Sequence, residues 1–442
     1  MTMFGSRGSR RSALWAALTF VLFLAMVIVF SCSRDGRQLT GGLVLPTGTT
    51  TGVVPPMGEV NAAAVAAGAD VKPVWTATYG DAVLASVSPA GDYVIANITY
   101  KDGRSSVPGF QVLDRTGKVL WERRYKGGVY RYARAFTLAG GRMIGAVVLA
   151  YDDKGLFYLF DKDGKQMWSP KPVSGSVTPA ASPNGSLLAI LNESKHSLEL
   201  LTATGEEIAD IALSDRVTLR FTDDGEYLYI LDGDRIIVVN RRGERHEFGG
   251  KVAAPGEIQV APDGRYLAVT TNDGVDRLNL FAPDGTLKWR HTVDSGGTDK
   301  LSFSSDGRYL VLYDFGLRGG IALFRVEDGA VMWRSYFTPP NGRRAFIRSA
   351  SIRSDSLEVG VNHTESYRVG RQAVEEHTLV VFDRRGRPES RLRLPDNVDL
   401  RASGDGSVVV VTTNNEIKAD GTVSQQLFWY DLLALFHAEK GS

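Results

Sequence analysis

The sequence has almost no cysteine. Among its 442 residues the only cysteine is Cys32, which lies near the amino terminus at the end of an apolar run. The body of the chain has none, so a disulfide framework of the kind found in small secreted domains is excluded. The stability of the folded part must therefore come from packing.

The chain also lacks an excess of charge of either sign. Its 51 Lys and Arg residues balance 50 Asp and Glu residues, which leaves a formal net charge of +1. Proteins that bind nucleic acid usually carry a strong basic excess or a basic stripe. We therefore predict no nucleic-acid partner.

Residue patterns of common enzymes and metal sites are missing as well. The sequence contains no Gly-x-Ser-x-Gly, Walker-type or His-Glu-x-x-His pattern. His363 and His377 flank a long insert, and we predict that they form a solvated pair rather than a ligand set. None of the six histidines forms a close pair with metal-ligand spacing: His196, His246, His291, His363, His377 and His437. We predict a protein that is not an enzyme, with no catalytic residues, no cofactor and no metal.

The amino-terminal segment contains a long uncharged run. Ser12 to Ser33 are 22 residues without a charge, and arginines precede them. This length is enough to span a bilayer, and the flanking arginines favour a cytoplasmic amino terminus. We predict a basic cytoplasmic tail over 1–11, a transmembrane anchor or signal over 12–33 and a flexible linker over 34–72. The protein is then a single-pass cell-membrane protein whose bulk is extracytoplasmic.

Cys32 leaves a second interpretation of this segment open. The run Val29-Phe30-Ser31-Cys32 resembles a bacterial lipoprotein signal, although Phe30 is larger than that motif normally tolerates. Lipidation at Cys32 is therefore an alternative, and the protein would then be a lipoprotein. A cleaved segment would make it a secreted protein.

The stretch from Gly256 to Val293 is one copy of a repeat. It contains four short apolar or alternating runs, separated by the turns Pro262-Asp263-Gly264, Asn272-Asp273-Gly274 and Pro283-Asp284-Gly285. Asp-Gly between β-rich runs is typical of hairpins, because the turn needs residues that accept a positive φ. One such four-stranded unit must stack on copies of itself to bury both faces.

The turn between the first two strands recurs eight times at intervals of about 40 to 50 residues, the period of a propeller blade. It occurs at Ser88–Gly91, Leu138–Gly141, Ser182–Gly185, Thr222–Gly225, Pro262–Gly264, Ser305–Gly307, Ser354–Ser356 and Gly404–Gly406. We predict an all-β fold: an eight-bladed β-propeller of four-stranded antiparallel blades over 73–442, preceded by the helix and linker.

The two ends of the repeat region complement each other. The eighth copy lacks a fourth strand, and Pro73 to Tyr79 resembles a fourth strand placed before the first copy. Pairing the two closes the ring and removes its open edges. The fourth strands also carry four tryptophans that we place between adjacent blades: Trp121, Trp168, Trp289 and Trp333.

The spacing of the tryptophans after Asp-Gly turns resembles that of a known repeat. The pattern Asp-Gly-x-x-x-Trp at Asp163–Trp168, Asp284–Trp289 and Asp328–Trp333 resembles the pyrroloquinoline-quinone-type repeat, and Pro262–Ala268 resembles the WD-like repeats of bacterial propellers, many of them membrane-anchored. This resemblance implies a β-propeller. Its members include quinoprotein dehydrogenases and the propeller lipoprotein of the outer-membrane assembly machinery. A dehydrogenase of this type needs an acidic calcium cluster and often a vicinal cysteine pair. A chain with one cysteine cannot form that pair.

Binding residues are predicted where the repeat is interrupted. Copies one and seven carry the inserts Tyr100–Pro108 and Thr364–Glu376, and two links between copies combine arginine with aromatic residues. Tyr and Arg are enriched at binding hot spots, and loops that a scaffold does not need often carry function. A solvated basic rim is the competing interpretation. The predicted binding residues are Tyr125, Tyr130, Arg131, Tyr132, Arg134, Arg343, Arg344, Arg348, Tyr367 and Arg368.

Two functions from different classes follow from these features. The first is a non-catalytic extracytoplasmic scaffold, anchored to the membrane, that recruits a protein or an envelope polymer through one face of the propeller. The alternative is a quinoprotein-type or sugar-handling enzyme with a site in the central channel. A structural or sensory ectodomain is a third interpretation. The sequence does not identify the partner.

Overall fold

The fold was analysed in a computed structural model, which describes residues 51–52, 73–79, 83–102, 105–126, 128–214, 216–248, 252, 254–293, 300–315, 319–337, 343–353, 357–370, 372–394, 398–402, 408–413, 416–417 and 423–431. They all belong to one compact unit, Thr49–Ser442. The predicted tail, the predicted anchor with Cys32 and nearly all of the predicted linker lie outside them. Among the described residues, no helix has the length and apolar character needed to cross a membrane.

The described strands form eight antiparallel sheets, one for each predicted repeat. Each sheet is a blade with strands A to D in chain order, except for blade 8. There strand C is Val423–Asp431, the short strand Glu416–Ile417 pairs beside it, and strand D comes from the region before the repeats. In blades 1 to 4 the strands are β3 Leu84–Val87, β4 Tyr93–Asp102, β5 Ser105–Asp114, β6 Val119–Arg124; β7 Tyr130–Leu138, β8 Met143–Ala150, β9 Lys154–Asp161, β10 Lys171–Ser174; β11 Val177–Ala181, β12 Leu187–Asn192, β13 Ser197–Thr202, β14 Glu207–Ala212; β15 Val217–Phe221, β16 Tyr227–Asp232, β17 Arg235–Asn240 and β18 Arg245–Glu247.

In blades 5 to 8 the strands are β19 Pro255–Val260, β20 Leu267–Asn272, β21 Asp276–Phe281, β22 Leu287–Thr292; β23 Lys300–Phe303, β24 Tyr309–Phe315, β25 Gly320–Arg325, β26 Val331–Tyr336; β27 Arg344–Ile352, β28 Val359–Val369, β29 Gln372–Phe382, β30 Pro388–Arg393; β31 Val398–Ala402, β32 Val408–Thr413, β33 Glu416–Ile417 and β34 Val423–Asp431. The strand β1 Thr51–Gly52 pairs in parallel with β22. The predicted eight-bladed propeller is confirmed.

The ring closes as predicted from the two ends of the repeat region. The strand β2 Trp75–Tyr79 pairs antiparallel with β34, from Trp75 opposite Trp429 to Tyr79 opposite Gln425, and so becomes strand D of blade 8. The Trp75 and Trp429 rings stack with centroids 5.9 Å apart. Strand β3 of blade 1 contacts β31 and β32 of blade 8, so the first and last blades are neighbours.

The chain direction assigns every connection to one of two faces. Strands A and C run in one direction and B and D in the other, so the A–B and C–D turns share one face, which we name the turn face. The B–C hairpins and the links between blades share the opposite face, which we name the hairpin face. Since β2 is a D strand, its first residue, Trp75, lies at the turn face.

The predicted placement of tryptophans between blades is confirmed. The Trp121 ring lies against Gly164 in the C–D turn of the next blade, and its Nε1 donates a hydrogen bond to the Lys162 carbonyl at 2.9 Å. Gly164 has a φ of 86°, and a Cβ at that position would lie 2.6 Å from the ring, so both the turn and the close approach require glycine. Trp75 makes the same contact with Gly117 across the closure. Sequence reasoning did not place Trp75 in this set.

The predicted insert loops are strands, which corrects the sequence-based prediction. Thr99 and Tyr100 pair with Pro108 and Val107 in the β4–β5 hairpin of blade 1. The blade 7 insert Thr364–Glu376 lies almost wholly within β28 and β29, which pair over eleven positions. Cross-strand pairing satisfies the backbone N–H and C=O groups that a loop would have to expose to water.

The prediction of a solvated His363 and His377 pair is wrong. Both side chains are buried, and the His363 ring stacks on Phe337 with centroids 4.0 Å apart. His377 Nδ1 lies 3.0 Å from the Thr364 hydroxyl. Because the surrounding chain is a hairpin inside a packed blade rather than a loop, both imidazoles are covered by neighbouring side chains.

Candidate functional site

A cavity of about 650 Å³ lies between blades 2 and 3 on the hairpin face. Three of the predicted binding residues line it, namely Arg131, Tyr132 and Arg134, all on β7. The apolar part of its lining comes from both blades: Phe136, Val147, Leu149 and Val177. A concave, partly apolar site with a few polar groups is typical of a binding pocket.

The two arginines of the cavity differ in their partners. Arg131 forms an ion pair with Asp153, which also lines the cavity. The Arg134 guanidinium lies over the Phe136 ring, 5.0 Å from its centroid, and no carboxylate of the described residues lies within ion-pair distance of it. Arg134 is exposed. It is therefore held in place by an aromatic ring while its hydrogen-bond donors still face solvent.

The opposite wall of the cavity belongs to blade 3 and the link that leads into it. Glu193 accepts hydrogen bonds from the Ser176 hydroxyl at 2.8 Å and the Thr178 hydroxyl at 3.0 Å. The Ser194 hydroxyl accepts one from the Ser176 amide at 3.1 Å. This wall offers hydroxyls and one carboxylate, whereas the β7 wall offers a cation and rings.

Exposed apolar side chains lie at the cavity and on the connections of blade 2 next to it. Tyr132 is 37% exposed, and the neighbouring connections of blade 2 carry Val129 and Tyr151, which are 45% and 70% exposed. A large aromatic side chain left in water at a cavity mouth is a feature of interaction sites rather than of a solvated rim. Tyr151 was not among the predicted binding residues, because its B–C turn has no insert to distinguish it.

Tyr125 and Tyr130 were predicted to bind, but they pack against each other between blades 1 and 2. Tyr125 is buried, with ring centroids 6.2 Å from Tyr130 and 5.3 Å from Tyr158. Burial raises the pKa of the Tyr125 hydroxyl. Among the described residues this hydroxyl has no hydrogen-bond partner. Both tyrosines belong to the packing between the two blades.

Arg343 and Tyr367 form a closed network on one side of the blade 7 hairpin. The Arg343 guanidinium reaches Glu365 at 2.9 Å and Glu376 at 2.8 Å, and it stacks over the Tyr367 ring at 4.0 Å. The Tyr367 hydroxyl donates to Glu376 at 2.7 Å. Burial raises the pKa of Glu376, but the hydrogen bonds from Tyr367 and Arg343 outweigh it and hold that pKa below its usual value.

Blade 1 carries the same arrangement on its own long hairpin. The Arg124 guanidinium stacks over the Tyr100 ring at 4.0 Å and pairs with Glu122 at 2.8 Å. The Tyr100 hydroxyl donates to Glu122 at 3.0 Å. Hydrogen bonds from Gln111 and Tyr100, with the nearby Arg124 charge, lower the pKa of Glu122. Each Tyr–Glu–Arg set braces a lengthened hairpin against its blade, a role that sequence reasoning missed.

The remaining predicted residues lie on the other side of the blade 7 hairpin. Arg348 pairs with Glu375 at 3.3 Å. Arg344 and Arg368 are exposed. The predicted residues thus fall into one group at blade 2 and another at blade 7, and blades 8 and 1 lie between them in the ring. Recruitment of a partner through one face of the propeller stays a prediction.

One family model matches the chain. The family described as outer membrane protein assembly factor BamB matches residues 56–244, which include blades 1 to 3 and the first three strands of blade 4. Together with the closed ring and the tryptophan contacts between blades, this match decides the repeat type. The chain is a PQQ-type β-propeller. No curated protein matches the sequence.

Solved structures of similar fold are distant in sequence. The dihydro-heme d1 dehydrogenase NirN, in complex with DHE, is 14% identical with a TM-score of 0.50, covering 81% of this chain and 72% of its own. A eukaryotic initiation factor is 12% identical with a TM-score of 0.49, covering 70% and 78%. Chaetomium thermophilum Sqt1, bound to the amino terminus of the ribosomal protein L10, is 13% identical with a TM-score of 0.48, covering 80% and 97%. These likenesses concern the fold alone.

Aspartates at C–D turns of this PQQ-type propeller accept hydrogen bonds from the amides of those turns. Asp161 accepts hydrogen bonds from the amides of Asp163 at 3.1 Å and Lys165 at 2.8 Å. Asp383 does the same for Arg385 and Arg387 in blade 7. In the described part of the chain, no group of three His, Cys, Asp or Glu side chains is placed to hold a metal ion.

Proposed function

We propose that this PQQ-type propeller is a non-catalytic scaffold that binds a protein partner at the cavity between blades 2 and 3. The observation that carries the proposal is Arg134, held over Phe136 with no carboxylate partner among the described residues, beside the exposed ring of Tyr132. The exposed Tyr151 lies on the turn that carries Asp153, another residue of the cavity lining. Arg and Tyr contribute most at binding hot spots, because each combines a large contact area with directed hydrogen bonds.

The chemistry of the two walls specifies what the partner presents. An apolar side chain of the partner fills the part of the cavity formed by Phe136, Val147, Leu149 and Val177, and a neighbouring carboxylate pairs with Arg134. Arg131 is less available because Asp153 already pairs with it. A cavity of about 650 Å³ is large enough for one or two such side chains.

The proposal places the propeller outside the cytoplasmic membrane, held there by the segment over 12–33. The uncharged 22-residue run and the arginines before it support the placement, and so does the matching family, which is described as an outer membrane protein assembly factor. The linker joins the ring at the first residue of β2, which lies at the turn face. The cavity lies on the opposite face, the hairpin face.

The partner is expected to cross-link at Tyr151 and to depend on Arg134. A photo-activated phenylalanine analogue in place of Tyr151 should give a discrete adduct in cells. Arg134→Glu should reduce that adduct by roughly tenfold or more, since loss of a hot-spot residue costs at least about 2 kcal/mol. Mass spectrometry of the adduct identifies the partner.

Matched controls for this experiment lie on the turn face. Tyr227 is an exposed tyrosine at the start of strand B in blade 4, and Arg242 is an exposed arginine in a C–D turn. The analogue at Tyr227 should give no adduct, and Arg242→Glu should leave the Tyr151 adduct unchanged. Equal adducts at both tyrosines, or an Arg134→Glu protein that cross-links normally, would contradict the proposed site.

For the anchor, we expect the mature protein to keep its amino terminus. Phe30 is a poor fit to a lipoprotein signal, and the apolar run is longer than the core of a cleaved signal. Membranes washed at alkaline pH should therefore retain the full chain, and a variant lacking residues 12–33 should not be retained. Mass spectrometry showing a chain that begins at a diacylated Cys32 would overturn the expectation.

A further inference from the structure

The hairpin of blade 7 is the longest in the described part of the ring. Its strands β28 and β29 have eleven residues each, whereas the corresponding strands of blades 3, 4 and 5 have six. Five further residues in each strand correspond to about 16 Å of extra length. The added length therefore projects past the B–C hairpins of the shorter blades, on the hairpin face.

Side-chain alternation gives this extension two different faces. One carries Arg343, Glu365, Tyr367 and Glu376, and Arg393 contacts Glu376 at 3.5 Å, so two arginines balance the two glutamates. The opposite face carries Thr364, Ser366 and Arg368 of β28, because successive residues of a strand point to opposite sides. Arg344 of β27 lies directly across from Ser366 and therefore belongs to this second face.

The second face has an excess of positive charge. It carries Arg344, Arg348 and Arg368 with one opposing carboxylate, Glu375, which contacts Arg348 at 3.3 Å. Arg344 and Arg368 are exposed, and no carboxylate of the described residues forms an ion pair with either. We name Arg344, Ser366 and Arg368 the cationic ledge.

We propose that the cationic ledge is a second docking site, which binds an acidic segment of a protein partner. Arg368 is two residues from Ser366, so Arg344 and Arg368 are diagonal neighbours on one face, about 7–8 Å apart. Acidic side chains at alternate positions of an extended segment have nearly the same separation. Each guanidinium donates hydrogen bonds to one carboxylate, and Ser366 is a neighbour of both arginines on this face.

The neighbourhood of the ledge favours a protein over an anionic polymer. Ala373, directly across from Arg368 on the same face, is exposed, and it offers an apolar contact to a bound peptide segment. The hairpin is paired over its whole length and braced by the Tyr367–Arg343 stack. Binding therefore does not require the hairpin to become ordered, which lowers the entropic cost.

The test uses the full chain in detergent and a fluorescent peptide of alternating Asp and Val, with a Lys–Val peptide as its counterpart. The acidic peptide should bind the unmodified protein, and this binding should weaken as the salt concentration rises. Its affinity for the R344S/R368S variant should be lower by about tenfold or more. The control variant R384S/R385S removes two exposed arginines from the C–D turn of the same blade on the turn face. It should bind like the unmodified protein, and thermal unfolding should show both variants folded.

Three results would overturn this proposal: equal binding of the acidic and basic peptides, equal loss in both double variants, or no loss in R344S/R368S. A polyphosphate chain that binds more tightly than the peptide, with the same arginine dependence, would assign the ledge to a polymer and overturn the protein occupant. The ledge is separate from the cavity between blades 2 and 3. Arg134→Glu should leave peptide binding unchanged, so the two proposals fail independently.

Discussion

Deleting residues 73–79 is expected to lower the free energy of unfolding by roughly 5 kcal/mol or more and to cause aggregation. The deletion removes the five-residue pairing of β2 with β34 and exposes the edge of β34. It also removes Trp75, which stacks on Trp429, lies against Gly117 of blade 1 and donates a hydrogen bond to the Arg115 carbonyl at 2.9 Å. Denaturant unfolding and light scattering measure the two effects.

The control is a deletion of equal length in the predicted linker, residues 42–48. These residues precede both β1 and β2, so the closure strand stays intact. Their removal should change the free energy of unfolding by less than about 0.5 kcal/mol, as is usual for changes away from packed features. If the two deletions unfold at the same denaturant concentration, closure by β2 is not what stabilises the ring.

The second large effect is expected from Trp289→Ala, at about 3–5 kcal/mol of lost stability. Trp289 is 2% exposed, and its Nε1 donates to the Val326 carbonyl of the next blade at 2.8 Å. Its ring stacks on Phe324 with centroids 6.0 Å apart. The half-buried Trp168 has no hydrogen-bond partner for its Nε1 among the described residues, so Trp168→Ala should cost less. Denaturant unfolding of both variants tests this order.

A double-mutant cycle with Gly329 shows whether the tryptophan acts through the next blade. Gly329 has a φ of 73°, and a Cβ there would lie 2.8 Å from the Trp289 ring. Gly329→Ala should therefore be destabilising through both backbone strain and the clash with the ring. In the Trp289→Ala background the strain of about 1 kcal/mol remains, together with a 3.2 Å approach of the new Cβ to His291 Nε2. Additive effects of the two substitutions would show that the ring and the glycine do not share an interface.

Most of the architecture could be predicted because it depends on short-range patterns. Asp-Gly turns such as Pro262–Gly264 need residues that accept a positive φ, and Gly264 has a φ of 70°. The recurrence of such turns predicted the number of blades, and the unmatched strand at Val74–Tyr79 predicted how the ring closes. Both depend on residues that are near neighbours in sequence or that complete a regular repeat.

The candidate sites were predicted less well, because they depend on contacts between distant residues. Arg343 and Arg134 look alike in the sequence, each in a link rich in arginine and aromatic residues. Tertiary packing places Arg343 between Glu365 and Glu376, whereas Arg134 faces a cavity. Glu376 is 33 residues from Arg343, so no local pattern indicates that the charge of Arg343 is already neutralised.

The sequence by itself determined the repeat, the strands, the closure and the placement of tryptophans between blades, since each follows from local turn chemistry and a fixed period. Only the tertiary structure decided that the two inserts are paired strands, that His363 and His377 are buried, and which arginines keep their donors free. Those properties depend on which side chains of different blades and strands come within a few ångströms of each other. A regular repeat fixes the backbone of each blade but leaves these contacts to individual residues.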